Sequence, residues 1–143
     1  MKILKPAFDK RGGIIPVVVQ DVNSGTILML AYTNEACFLE TMETGDAVYY
    51  STSRNERWKK GETSGNTQRV RYAYIDCDGD ALIYKVEQKG EGACHTGATS
   101  CFFRTIGGNK ASAGGQPKVP VLGDFIEMPT IKVGWLVVDQ TSI

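Results

Sequence analysis

The sequence predicts a β-rich α+β domain, built from short antiparallel and mixed strands around one helix. Three observations carry this. Apolar runs rich in Val, Ile and Tyr recur in short lengths that suit strands better than helices. Residues Arg69 to Ile75 alternate with a period of two. Only the stretch between Asn34 and Gly45 carries both a start and a stop signal for a helix.

Ile14-Ile15-Pro16-Val17-Val18-Val19 and Thr26 to Tyr32 are joined by Asn23-Ser24-Gly25. Asn and Gly tolerate positive φ, so these runs read as two strands closed by a turn. Pro16 has no N–H for a ladder, which places it at a strand start or an edge. Asn34 suits an N-cap, Glu35 the first turn and Gly45 the C-terminal stop, giving a helix of about three turns. Cys37, inside Ala36-Cys37-Phe38-Leu39, reads as a small buried hydrophobe. Ala47-Val48-Tyr49-Tyr50 returns to strand character, and Ser51 to Thr67 is polar and turn-rich. The alternation after it sets Val70, Tyr72 and Tyr74 on one face. Continued, that strand would put Asp76, Asp78 and Asp80 on one face and Cys77 on the other. Leu82 to Val86, Ser100 to Phe103 and Gly134 to Val138 are the remaining expected strands, and Gly107 to Lys118 has linker composition.

At 143 residues the chain can bury one core. Its 16 basic and 16 acidic residues balance, so it lacks the basic excess that draws proteins to nucleic acid or to anionic membranes. Met1 to Lys10 has no apolar signal-peptide core, and no run reaches the length of a membrane span. A soluble, cytoplasmic protein is expected. In that compartment the four cysteines should be reduced thiols, some of them metal-bound.

The chemistry concentrates in Asp76-Cys77-Asp78-Gly79-Asp80, Cys94-His95 and Cys101. Thiolates suit zinc, whereas carboxylates suit hard cations such as magnesium. Cys77, Cys94 and Cys101 are spaced by 17 and 7 positions, unlike the paired spacing of zinc fingers, so buried structural thiols compete with a zinc site. Their number matches the three protein ligands of a catalytic zinc, which leaves a position for an activated water. His95, the only histidine, is a candidate proton shuttle, with a fourth zinc ligand as its competing role. The aspartates imitate an EF-hand up to Glu87, but Ala81 stands where that loop needs Gly. A water-rich magnesium site is the better metal reading, and an exposed acidic turn is the plainer one. Arg54 to Asn66, containing Trp58, Lys60, Gly61, Glu62, Thr63 and Ser64, offers cations, hydroxyls and backbone N–H groups to phosphate, or is simply a solvated turn. Trp58 could stack on a base or anchor the loop in the core.

Together these segments resemble phosphoribosyl-AMP cyclohydrolase. The matching stretches are Gly13 to Asp21 (GIIPVVVQD), Leu28 to Glu35 (LMLAYTNE), Glu43-Thr44-Gly45, Ser53-Arg54 and Trp58 to Gly65 (WKKGETSG). Asp76 to Asp80 (DCDGD), Lys85 to Gln88 (KVEQ) and Ala93 to Phe103 (ACHTGATSCFF) follow in the family's order. The resemblance implies that fold, as an intertwined homodimer, and hydrolysis of the N1–C6 bond of the adenine ring in histidine biosynthesis. It implies zinc on Cys77 of one subunit and Cys94 and Cys101 of its partner, with magnesium on Asp76, Asp78 and Asp80. His95 would act catalytically, and Arg54, Trp58, Lys60, Gly61, Glu62, Thr63 and Ser64 would seat the nucleotide.

The expected organisation is a catalytic domain over 1–106, a Gly-rich linker over 107–118 and an extension over 119–143 that packs on the same domain. The length left leaves no room for a second fused enzyme. The family usually reads Ser-Arg-Ser-Arg where this chain has Ser51-Thr52-Ser53-Arg54. Two alternatives follow: a divergent paralogue that opens or deaminates another purine nucleotide, and a non-catalytic zinc-stapled binding module.

Overall fold

The structure, a computed structural model, describes residues 2–109 together with Trp135 and Leu136. A 3₁₀ turn, Phe8–Arg11, leads into β1 (Ile15–Asp21), β2 (Ile27–Thr33), α1 (Glu35–Thr44), β3 (Val48–Ser51) and β4 (Glu56–Lys59). They are followed by β5 (Gln68–Ile75), β6 (Leu82–Gln88), β7 (Gly108–Asn109) and β8 (Trp135–Leu136). The chain divides into two compact units, the first ending at Cys101 and the second beginning at Phe102. In the first, four strands make a mixed sheet in the order β2-β1-β6-β5, and β3 pairs with β4 as a hairpin. β1 runs antiparallel to β2 and parallel to β6, while β5 runs antiparallel to β6. In the second, β7 pairs with β8. The domain is thus β-rich with one α-helix among the described residues, as expected.

The local signals explain these elements. Asn34 Oδ1 accepts the N–H of Cys37 at 2.9 Å, and Gly45 closes α1 in the left-handed region at φ 78°. Asp21 organises the β1–β2 turn, its Oδ1 accepting from the N–H groups of Asn23 and Ser24 at 2.9 and 2.7 Å. Pro16 is the second residue of β1, opposite Tyr32 and one residue before the pairing with β6 begins at Val17. It is therefore at a strand start, although β1 itself is central.

One face of the sheet makes the core. Ile15, Val17 and Val19 of β1, Leu28, Met29 and Ala31 of β2, and Leu82, Tyr84 and Val86 of β6 are buried against Phe8, Phe38 and Tyr49. Each such side chain removed from water contributes roughly 1.5–3 kcal/mol. The opposite face stays open, with Leu30, Tyr32, Tyr72, Tyr74 and Ile83 between 37% and 58% exposed. Cys37 is buried, as expected, and its thiol donates to the carbonyl of Tyr49 at 3.4 Å.

Several expectations are corrected. The pairing of β5 with β6 slips between Val70 and Tyr72, so Arg71 is an extra residue in a bulge. Val70 therefore packs on the core, whereas Tyr72 and Tyr74 lie on the open face. β5 ends at Ile75, so Asp76 to Asp80 form a turn and not a strand with two faces. Residues Ser100 to Phe103 form no strand, because Ser100 and Cys101 bond to the carbonyls of Ile27 and Leu28 without entering a ladder. Conversely β4, hidden in a polar stretch, forms because Trp58 packs on Tyr49, ring centroids 5.4 Å apart. The expected linker, extension and terminal strand lie outside the described residues apart from residues 107–109, Trp135 and Leu136.

Candidate functional site

Beyond the end of β6 the chain folds back on itself: Ala93 N–H bonds Thr99 O and Cys94 N–H bonds Ala98 O, both at 3.2 Å. This turn buries Cys94 and directs the Thr96 hydroxyl onto its sulfur at 3.0 Å. That bond holds the Cys94 thiol below its usual range. Cys101 is fixed by its own N–H, which donates to Leu28 O at 2.7 Å. Leu28 is the extra residue where the β1–β2 register slips, and its carbonyl is therefore turned away from the ladder toward Cys101. Partial desolvation, then the charge and the hydrogen bond of Cys94, push the Cys101 thiol up. The two thiols are thus neighbours, that of Cys94 lowered and that of Cys101 raised. Soft, adjacent and with one poised to ionise, they fit two of the ligands of a zinc ion.

Lys60 closes this corner from below. It is 8% exposed, and its ammonium donates to Asn66 O at 3.4 Å. Among the described residues it has no carboxylate partner. Burial lowers its pKa, while the charges of Cys101 and Cys94 raise it. Gly61 to Asn66 form the loop above it, with Glu62, Thr63 and Ser64 exposed. Arg54, on the neighbouring turn, is exposed and 3.8 Å from Glu56. Trp58 is half-buried on Tyr49, so its ring anchors this loop to the core.

The acidic turn is built differently. Asp76 Oδ1 accepts from the N–H groups of Asp80 and Ala81 at 3.0 and 3.2 Å, and this wrapping gathers the carboxylates of Asp76, Asp78 and Asp80 within 4.8 Å of one another. Desolvation raises Asp76, but those amide bonds outweigh it and its carboxyl lies below the usual range. The Asp80 carboxyl, by hydrogen bond, pushes Asp78 up. Arg11 Nε lies 3.0 Å from Asp80 Oδ2 and Lys10 Nζ 3.6 Å from Asp78 Oδ2. Three oxygens drawn together by the fold fit a hard divalent cation.

The three expected thiols do not meet within one chain. Cys77 is exposed in the β5–β6 turn, Cys94 follows β6 and Cys101 is tied to Leu28 of β2, and the three sulfurs do not gather within 4.8 Å of one another. His95 is exposed beside Cys94. Asn66, Gln68 and Gln88 were passed over in the sequence, because amides carry no chemical signature of their own. In the structure Gln68 Nε2 donates to Gln88 Oε1 at 2.9 Å, and Gln88 Nε2 donates to Asn66 O at 3.1 Å.

Donors of two kinds in one small β-rich domain mark a class, a domain equipped to hold metal ions. Residues 29–103 match the family model of phosphoribosyl-AMP cyclohydrolase. A phosphoribosyl-AMP cyclohydrolase from Desulforapulum autotrophicum is 56% identical over 99 residues, 69% of this chain and 79% of that one. One from Archaeoglobus fulgidus is 56% identical over 103 residues, 72% of this chain and 94% of that one. A histidine biosynthesis bifunctional protein from Aquifex aeolicus is 55% identical over 108 residues, 76% of this chain and 52% of its own length. The chain belongs to the phosphoribosyl-AMP cyclohydrolase family, and with it to the hydrolases of histidine biosynthesis.

Proposed function

We propose that the Cys94–Cys101 corner and the Lys60 loop carry out the hydrolytic opening of the adenine ring of phosphoribosyl-AMP, at the N1–C6 bond, in the cytoplasm. The carrying observation is the Cys94–Cys101 pair, its Cys94 thiol lowered by Thr96, set against a buried ammonium that has no carboxylate partner among the described residues. Zinc, when bound by these two thiols and a third, supplies a water acidic enough to attack at neutral pH. The third thiol is Cys77 of a second copy, since in its own chain it does not gather with Cys94 and Cys101 within 4.8 Å. The open sheet face, with Leu30, Tyr32, Tyr74 and Ile83 exposed, supports such a homodimer.

The remaining steps belong to the chain's own side chains. Lys60, Arg54 and the N–H groups and hydroxyls of Gly61, Thr63 and Ser64 hold the two phosphates, with Glu62 completing the loop and Trp58 bracing it. Asp76, Asp78 and Asp80 would hold magnesium, which would supply positive charge for a doubly phosphorylated substrate to a chain of zero net charge. Attack at C6 needs a proton delivered to the departing ring nitrogen N1, and the exposed imidazole of His95 delivers it. All these residues lie within 1–106, assigned as the catalytic part. Incubating metal-loaded protein with phosphoribosyl-AMP and following ring opening by ultraviolet absorbance tests the assignment. Turnover is expected; a protein that binds both metals yet leaves this nucleotide intact would overturn it. His95→Ala should keep its zinc and lose about 10²-fold or more in rate, and loss of zinc instead would make His95 a ligand.

A further inference from the structure

Asn66 stands where the Lys60 loop meets the turn that leads to Cys94, and it bonds to both. Its side-chain Oδ1 accepts the N–H of Glu91 at 3.0 Å. Its carbonyl oxygen accepts from Lys60 Nζ at 3.4 Å and from Gln88 Nε2 at 3.1 Å, while its N–H donates to Ser64 Oγ at 3.2 Å. Space around it is reserved on two sides. A Cβ on Gly90 would come within 2.0 Å of Asn66 Oδ1, and one on Gly61 within 2.3 Å of the Asn66 carbonyl carbon. Both glycines sit at φ 77°, so neither position accepts a side chain easily. Two segments far apart in sequence are kept bare by the same residue.

The pivot rests on a polar chain rooted in the core. Gln88 Nε2 also reaches Thr67 O at 3.2 Å and Lys89 O at 2.9 Å, and Gln88 Oε1 accepts from Gln68. Gln68, fully buried, accepts from the Tyr49 hydroxyl at 2.6 Å. A network whose members are satisfied in this way holds one geometry.

We propose that Asn66 is a positioning residue for the reaction. Its side-chain oxygen locks the Cys94 turn in register with the Lys60 loop, so that the thiols and the ammonium meet one substrate at a fixed spacing. This rests on the functional reading above, in which both segments face the nucleotide. A displacement of about 1 Å between such groups can cost on the order of 10²-fold in rate.

The test compares Asn66→Ala, which removes the acceptor, with Asn66→Asp, which keeps it. Asn66→Ala should lose about ten- to a hundredfold in kcat/KM at unchanged zinc content, and Asn66→Asp should stay within about threefold of the parent. Hydrogen exchange of the segment around Glu91 should quicken in the Ala variant and not in the Asp variant. A purely structural role would lower the melting temperature of Asn66→Ala without this split in turnover. Should Asn66→Ala not fold, Gly90→Ala displaces the same oxygen and should show the same faster exchange and lower rate. Full turnover and protection in Asn66→Ala, or equal losses in the Asp and Ala variants, would overturn the proposal. If the unaltered protein does not open phosphoribosyl-AMP, the functional reading falls first. Hydrogen exchange then decides the link by itself: unchanged protection in Asn66→Ala overturns it.

Discussion

The distance between Cys77 and its two companions makes a quantitative prediction. The sulfurs around one tetrahedral zinc lie within about 4 Å of each other, since each Zn–S bond is about 2.3 Å. Among the described residues Cys77, Cys94 and Cys101 do not gather within 4.8 Å of one another in one chain. If the proposed three-thiol site forms, it would take Cys77 from one copy and Cys94 with Cys101 from another, and a homodimer would carry two such sites. Homodimers of Cys77→Ser or of Cys94→Ser should each lose both sites. When the two variants assort at random, about half of the dimers are mixed, and each mixed dimer has one intact site and one site broken twice. Zinc content and turnover should thus return to about one quarter of the unmutated level, or about one half in mixed dimers purified with two different tags. Zinc released to a chromophoric chelator reads the site directly, and ultraviolet absorbance reads turnover. Mixed dimers as empty as their parents, or a Cys77→Ser homodimer that keeps its full zinc, would refute the reasoning.

Four further outcomes follow. Asp76→Ala removes the acceptor for two backbone N–H groups and should lower the urea midpoint more than Asp78→Asn does. Asp78→Asn, whose carboxylate pairs with Lys10 at the surface and meets the Asp76 and Asp80 carboxyls, should leave stability nearly unchanged while weakening manganese binding about tenfold or more in calorimetry. In metal-free protein, iodoacetamide should modify exposed Cys77 and Cys101 well before Cys37, whose thiol is buried and raised in pKa by that burial, as peptide mass mapping will show. The N–H of Ser24 holds the Asp21 carboxyl below its ordinary value of 3.8. A lowered carboxylate stabilises the fold above that ordinary value and loses its contribution as the pH falls through the lowered one. Acidification below about pH 4 should therefore destabilise the protein more than Asp21→Asn, and equal acid sensitivity in chemical melts would contradict this.

Much of the fold was legible because its signals are local. Asn34 and Gly45 cap α1 through their own hydrogen bond and φ, which needs no tertiary partner. The Val-rich run of β1 and the Ile83, Tyr84 and Val86 of β6 declare strands, since β-branched and aromatic side chains suit a pleated, half-buried surface. What stayed hidden depends on register. The bulge at Arg71 reverses the face of Tyr72 and Tyr74, and nothing in an alternating pattern marks the extra residue. β4 is polar in sequence and forms only because Trp58 finds Tyr49.

The candidate site divides along the same line. Residue type alone determined which chemistry is available, since thiols prefer soft ions and carboxylates hard ones wherever they sit. Tertiary structure decided how those groups are used. It gathers the aspartates with a turn in place of a strand, lowers the Cys94 thiol with Thr96, buries Lys60 without a carboxylate among the described residues and keeps Cys77 apart from its two companions. Those outcomes arise from contacts between segments distant in the chain, and their distances are invisible to spacing along it.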